Sequence, residues 1–148
     1  MTFERPILQI LIQRLKEPRQ KIQVLSGPRQ VGKTTLSIQA LKKSTQPYLH
    51  VIAESGFTTS WLDQQWATAR SLSQKHPEGA ILVIDEIQKI NNWSERVKRL
   101  WDEDTVSGKL LKVVLLGSSS LLLHRGLTES MAGRYEIIPV PHWSFSEC

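Results

Sequence analysis

Apolar positions along the chain switch repeatedly between two spacings. In "PILQILIQRLK", Ile7, Leu8, Leu11, Ile12 and Leu15 fall on one face of a helical repeat. Pro6 suits a first turn and Pro18 follows the end, so the spacing predicts a helix over 6–16. "KIQVLS" alternates Ile22 and Val24 with polar residues and predicts a first strand, which delivers a glycine-containing loop and then a helix from Lys33 to about Lys43. "PYLHVIAE" predicts a short second strand from Tyr48 to Ala53. "SWLDQQWATARSL" places Leu62, Trp66 and Ala69 on one helical face, with Ser60 as its capping residue.

"ILVIDE" is an unbroken apolar run closed by acids, the pattern of a central strand covered on both faces. Trp93, Val97, Leu100 and Trp101 share the buried face of a further amphipathic helix, with Glu95 and Arg99 placed to pair on its outside. "LLKVVLLG" reads as another buried strand. "YEIIPV" reads as a last, shorter one, which Pro139 and Pro141 assign to a sheet edge. Strands alternating with helices predict an α/β fold: a parallel sheet of about five strands flanked by helices on both faces.

Composition narrows the class. The chain has 148 residues, 40% of them hydrophobic, enough for one ordinary domain with its own core. No stretch approaches the roughly 18 apolar residues of a membrane span, and "MTFERPILQI" lacks the basic-then-apolar order of a signal peptide. A cytoplasmic protein is expected, with no membrane partner. The single cysteine, Cys148, has no disulfide partner within the chain. His50, His76, His124 and His142 have no spacing that would gather zinc ligands. The net charge of +5 favours anionic partners. The basic residues are scattered, and no interleaved aromatics form a base-stacking platform, so nucleotide phosphates are a sufficient reason for the charge.

Candidate chemistry begins at "LSGPRQVGKTTL". Gly27 and Gly32 bracket four residues, and Lys33 and Thr34 follow at once, giving the G-x-x-x-x-G-K-[ST] spacing of a phosphate-binding loop between a predicted strand and a predicted helix. Gly27, Pro28, Arg29, Gln30, Val31, Gly32, Lys33, Thr34 and Thr35 are the candidate nucleotide-binding residues. Backbone N–H groups in such a bend donate to phosphate oxygens, and the helix that starts there adds its positive dipole end. Lys33 supplies a mobile ammonium for the β and γ phosphates, and the Thr34 hydroxyl is placed to coordinate Mg²⁺. Asp85 and Glu86 close "ILVIDE". Ligands of α/β sheets sit beyond the carboxyl ends of the strands, so this pair should share a crevice with the loop, Asp85 near Mg²⁺ and Glu86 positioned to polarise an attacking water.

"GPRQVGKTT", "VIDEIQK", "LLGSSSLLL", "ESMAGR" and "PHWSFSE", in that order, resemble the bacterial and archaeal AAA-type ATPases whose ATPase domain is joined to a C-terminal domain of unknown function. The resemblance implies an additional-strand P-loop fold with sheet order 5-1-4-3-2, ATP or ADP with Mg²⁺ as ligands, Lys33 and Thr34 in Walker A, and Asp85 and Glu86 in Walker B. It also implies a sensor role for Ser118, just after the strand over Leu111 to Leu116, and a finger or sensor role for Arg134 in "AGR". Ser118 can equally be a turn or cap residue, Arg134 a structural arginine, and Gln88 a surface amide with water orientation as its other role.

Proteins of that kind run on past "SF-x-E", so residues 1–148 are expected to be a single AAA-type ATP-binding domain that stops before the usual C-terminal domain. Two functions follow: Mg²⁺-dependent ATP hydrolysis, or a nucleotide-dependent binding or switch module with negligible turnover. A small-molecule kinase would need an acceptor site and lid that the sequence does not display. Self-association and an unidentified protein or nucleic-acid target are the open partners.

Overall fold

A computed structural model describes residues 6–28, 32–118 and 120–140. The chain order is α1 (Pro6–Lys16), β1 (Ile22–Ser26), α2 (Lys33–Lys42), β2 (Tyr48–Ile52), α3 (Thr59–Gln74), β3 (Ala80–Asp85), a 3-10 turn (Ile87–Lys89), α4 (Trp93–Ser107), β4 (Leu111–Gly117), α5 (Ser120–Ser130) and β5 (Tyr135–Pro139). The five strands form one sheet in the order β2-β3-β4-β1-β5, which is the implied 5-1-4-3-2 read from the other edge. Every neighbouring pair is parallel, with Leu25 opposite Leu116 and Ile84 opposite Leu115.

The strands of "ILVIDE" and "LLKVVLLG" are apolar through their middles, over Ile81–Ile84 and Val113–Leu116, because both faces are covered there. Ile81, Val83, Val114 and Leu116 pack with Leu8, Leu11, Leu36 and Leu41 of α1 and α2. Their neighbours Leu82, Ile84, Val113 and Leu115 pack on the other face with Trp66, Trp93, Val97, Trp101 and Leu127 of α3, α4 and α5. The one-residue alternation of strand side chains thus divides a single run between two cores. Deep in the second core, Asp104 is fully buried and accepts hydrogen bonds from Trp66 Nε1 (2.8 Å) and Arg70 Nε (2.7 Å).

Three local expectations change. Thr58 occupies the N-cap of α3, so Ser60 lies inside the helix instead of capping it. Arg99 lies 4.0 Å from Glu103, one turn onward, and not on Glu95. Helix α5 has no counterpart in the periodicity reading. It carries Leu123 and Leu127 into the core, with Met131 just past its end continuing the four-residue step, and its Gly126 lets Trp93 approach so closely that an added Cβ would sit 2.5 Å from Cζ2. No helix among the described residues is long and apolar enough to cross a membrane.

Candidate nucleotide site

Because the sheet is parallel, the carboxyl ends of β1, β4 and β3 lie side by side at one edge. They deliver, in turn, the glycine loop, Ser118 and the Asp85–Glu86 pair. Gly27 follows β1 where the chain passes against the segment after β5: Val140 N–H donates to Ser26 O at 2.8 Å, and a Cβ at position 27 would lie 2.2 Å from Val140 O. Any side chain there would push the loop off the sheet. Gly32 then opens α2 from a left-handed conformation (φ 86°), and Lys33 and Thr34 form its first turn.

Lys33 is 6% exposed, and its ammonium donates to the carbonyl oxygens of Gly27 (2.8 Å) and Pro28 (2.7 Å), the two ends of its own loop's first bend. Thr34 Oγ1 donates to Asp85 Oδ2 at 2.5 Å. This bond joins segments 51 positions apart, across the intervening strand β4. Asp85 itself is 5% exposed, and its carbonyl oxygen accepts from Ala53 N–H at 2.9 Å, which anchors the end of β3 to the chain leaving β2. Thr35 is exposed at the start of α2. Arg29, Gln30 and Val31, and the "PHWSFSE" segment with His142 and Cys148, lie outside the described residues.

Glu86 turns the chain out of β3 in a left-handed conformation (φ 57°, ψ 41°), uncommon for a residue with a Cβ. Its Oε2 accepts from Ser118 Oγ at 2.9 Å and from Gln88 Nε2 at 2.8 Å. The structure therefore brings together Gly27, Pro28, Gly32, Lys33, Thr34, Asp85, Glu86 and Ser118. It adds Gln88, which is 8% exposed and no surface amide. The sequence signal for Gln88 was its place two residues after the strand-end glutamate.

Arg134 is not among them. It immediately precedes β5, at the amino end of a parallel strand, so the five residues of β5, roughly 16 Å of extended chain, separate it from the loop edge. There its guanidinium forks onto Asp102 of α4, Nε to Oδ1 at 2.8 Å and Nη2 to Oδ2 at 2.9 Å, and its backbone carbonyl accepts from Ile22 N–H at 2.8 Å. The hydrogen bonds from Arg134 hold the Asp102 carboxyl below the usual carboxylate range and raise the Arg134 guanidinium in turn. Within one chain, then, Arg134 ties α4 to the base of β5.

The donor chemistry at the loop edge suits a hard divalent cation. A hydroxyl and a carboxylate stand together at Thr34 and Asp85, and no group of three or more His, Cys, Asp or Glu side chains gathers a metal among the described residues. Mg²⁺ is commonly held this sparsely by protein, with phosphate and water oxygens completing its octahedron.

A parallel α/β sheet with a glycine loop feeding a helix, and an acidic pair two strands away, defines a P-loop nucleotide-binding domain. The family model of the AAA domain matches residues 19–148, and the chain belongs to that family, whose members are associated with nucleotide binding. It is 32% identical to an uncharacterized protein of Methanocaldococcus jannaschii, over 81% of this chain and 27% of that protein. It is also 32% identical to uncharacterized proteins of Mycobacterium tuberculosis and Mycobacterium bovis, over 81% of this chain and 25% of each. The chain thus spans about a quarter of the length of the curated relatives it matches.

Proposed function

We propose that residues 1–148 form a single AAA-type domain that binds ATP or ADP with Mg²⁺ and hydrolyses ATP. The observation that carries this reading is the Thr34–Asp85 hydrogen bond, which joins the loop and the acidic strand end into one oxygen-donor site beside Lys33. Thr34 and Asp85 would hold Mg²⁺, which when bound neutralises charge on the β and γ phosphates. Lys33 would leave the Gly27 and Pro28 carbonyls for phosphate oxygens, exchanging neutral acceptors for charged ones. Glu86 would accept a hydrogen bond from water, aim its oxygen at the γ phosphorus and take the proton as the bond to the β-phosphate oxygen breaks. Ser118 supports this role by holding the Glu86 carboxylate.

A nucleotide-dependent binding or switch module is the second reading, favoured by one observation. Arg134, which could neutralise the transferring group, is engaged with Asp102 at the other edge of the sheet, so the lone chain should turn over slowly. Phosphate release from Mg²⁺-ATP separates the two. Hydrolysis that falls about a hundredfold or more in Glu86→Gln, with nucleotide affinity retained, supports the ATPase. Binding with no release in the wild-type chain would leave the switch module.

A further inference from the structure

We infer that Gln88 is a positioning residue for Glu86: with Ser118 it pins one carboxylate oxygen and leaves the other to accept the attacking water. The inference rests on the role proposed above for Glu86. Both donors converge on the same atom, Glu86 Oε2, Gln88 Nε2 from 2.8 Å and Ser118 Oγ from 2.9 Å. Two bonds from different elements, the 3-10 turn after β3 and the end of β4, fix the plane of the carboxylate as one bond could not. Neither donor carries a charge, so the carboxylate is held without being neutralised.

The backbone is bent to make this contact. Glu86 adopts φ 57° and ψ 41°, and the turn over Ile87–Lys89 that follows folds the Gln88 side chain back over it. Left-handed non-glycine residues collect at functional sites, where surrounding contacts hold the strain. The orientation of the carboxamide follows from chemistry, because a carboxylate only accepts, and reversing the amide would set two acceptors face to face.

Gln88 also gives up stability to stand there. Its Oε1 is buried with no hydrogen-bond partner among the described residues, and an apolar side chain of similar size would avoid that loss. Oε1 instead fits against the end of β4, where a Cβ at position 117 would come 3.0 Å from it and 2.8 Å from Leu123 Cδ2. Gly117 leaves the room. A buried amide that spends its donor on Glu86 and strands its acceptor is explained by what it does to Glu86, not by what it adds to the core.

The test pairs a contact measurement with kinetics on the 148-residue chain. In ¹⁵N spectra, the Gln88 side-chain amide, assigned by its loss in Gln88→Leu, should shift in Glu86→Ala; an unmoved resonance overturns the clamp whether or not ATP is hydrolysed. Gln88→Leu, with Gln88→Met as a second variant, should lower kcat by about 10- to 100-fold, the scale of a misplaced reacting group, with KM for ATP and melting temperature undiminished. In a Glu86→Gln background the same change should cost nothing further. A loss of equal size in both backgrounds, or one matched by a lower melting temperature in both variants, assigns Gln88 a structural role and overturns the inference. Absence of turnover in the wild-type chain would overturn the hydrolysis reading and the catalytic half of this one, while the amide shift would still decide the clamp.

Discussion

The two edges of the sheet use the same residue types to opposite ends. At the amino edge, cations are committed to fixed partners: Arg134 forks onto Asp102, Arg19 lies 3.5 Å over the Trp101 ring and donates to Leu111 O at 2.9 Å, and Lys112 Nζ donates to Leu15 O at 2.5 Å. Each ties a helix or its trailing loop to the start of a strand or to another helix. At the carboxyl edge, Asp85 and Glu86 accept from hydroxyls and an amide, and Lys33 donates to loop carbonyls. A guanidinium forked on a carboxylate must surrender a charge-assisted pair to meet a ligand, whereas an ammonium on carbonyls exchanges neutral acceptors for phosphate oxygens. The partner, more than the residue type, separates a tie from a binding group.

Removing a tie should cost folding and spare binding. The largest effect is expected at Asp104, where alanine would strand the buried Trp66 N–H and take from Arg70 the partner of its Nε, leaving that guanidinium only Leu100 O and Glu103. Breaking a buried pair from one side costs about 3 to 5 kcal/mol. Denaturant unfolding should show that loss in Asp104→Ala, while the protein still folded binds nucleotide as the wild type does. Stability within error of wild type would show that the buried carboxylate is no tie.

Lys33→Ala should do the reverse. It removes charge-assisted bonds to phosphate, each worth about 1.5 to 3 kcal/mol, so affinity for Mg²⁺-ATP should fall roughly a hundredfold or more by calorimetry. Unfolding should barely move, since the bonds lost in the free protein go to loop carbonyls. Equal affinity in both proteins would remove the basis for calling this edge a nucleotide site.

Much of this contrast is legible in the sequence, and its gaps have physical causes. The glycine-loop spacing and the acidic strand end are local patterns, and the rule that α/β ligands sit at the carboxyl edge brings them together without coordinates. Helix α5 was hidden because Gly126 costs helix propensity, and only its contact with Trp93 explains it. The sequence alone leaves Gln88 looking like a surface amide, because its burial depends on the left-handed turn at Glu86, which no periodicity reveals. Arg134 is the instructive case. The family resemblance pointed it at the nucleotide, yet a residue just before a parallel strand lies at the amino edge, so strand polarity alone opposed a role at its own loop.

A role for Arg134 at a neighbouring copy's site is a separate question, and mixing answers it. If the arginine reached across, Arg134→Ala and Lys33→Ala chains would each lack one part of a shared site and would restore hydrolysis at their interface on mixing, since such arginines are worth about 10³ to 10⁵ in rate. The bond to Asp102 leads us to expect no recovery above the sum of the two variants. In place of a kinetic effect, Arg134→Ala should lose a partly exposed ion pair's worth of stability, about 1 kcal/mol or less. Recovery on mixing would move Arg134 from the ties to the site.

The smallest effect is a pH dependence confined to the tie. The hydrogen bonds from Arg134 lower the folded-state pKa of Asp102, so between that value and the ordinary carboxylate range near 4 the unfolded chain binds more protons than the folded one. Stability from the pair is therefore complete above the unfolded value and is lost as pH falls through the lowered folded one. The Asp102 side chain is 42% exposed, which screens the pair and keeps the change at about 1 kcal/mol or below. Thermal unfolding followed from pH 6 to pH 3 should fall less steeply in Asp102→Asn than in wild type, because the asparagine has no proton to take up. Nucleotide affinity at pH 7 should be equal in the two proteins, since Asp102 lies with Arg134 at the far edge from Lys33. A variant that kept the wild-type acid slope would show that this pair contributes no linkage, and one that lost nucleotide affinity would show that the two edges are coupled.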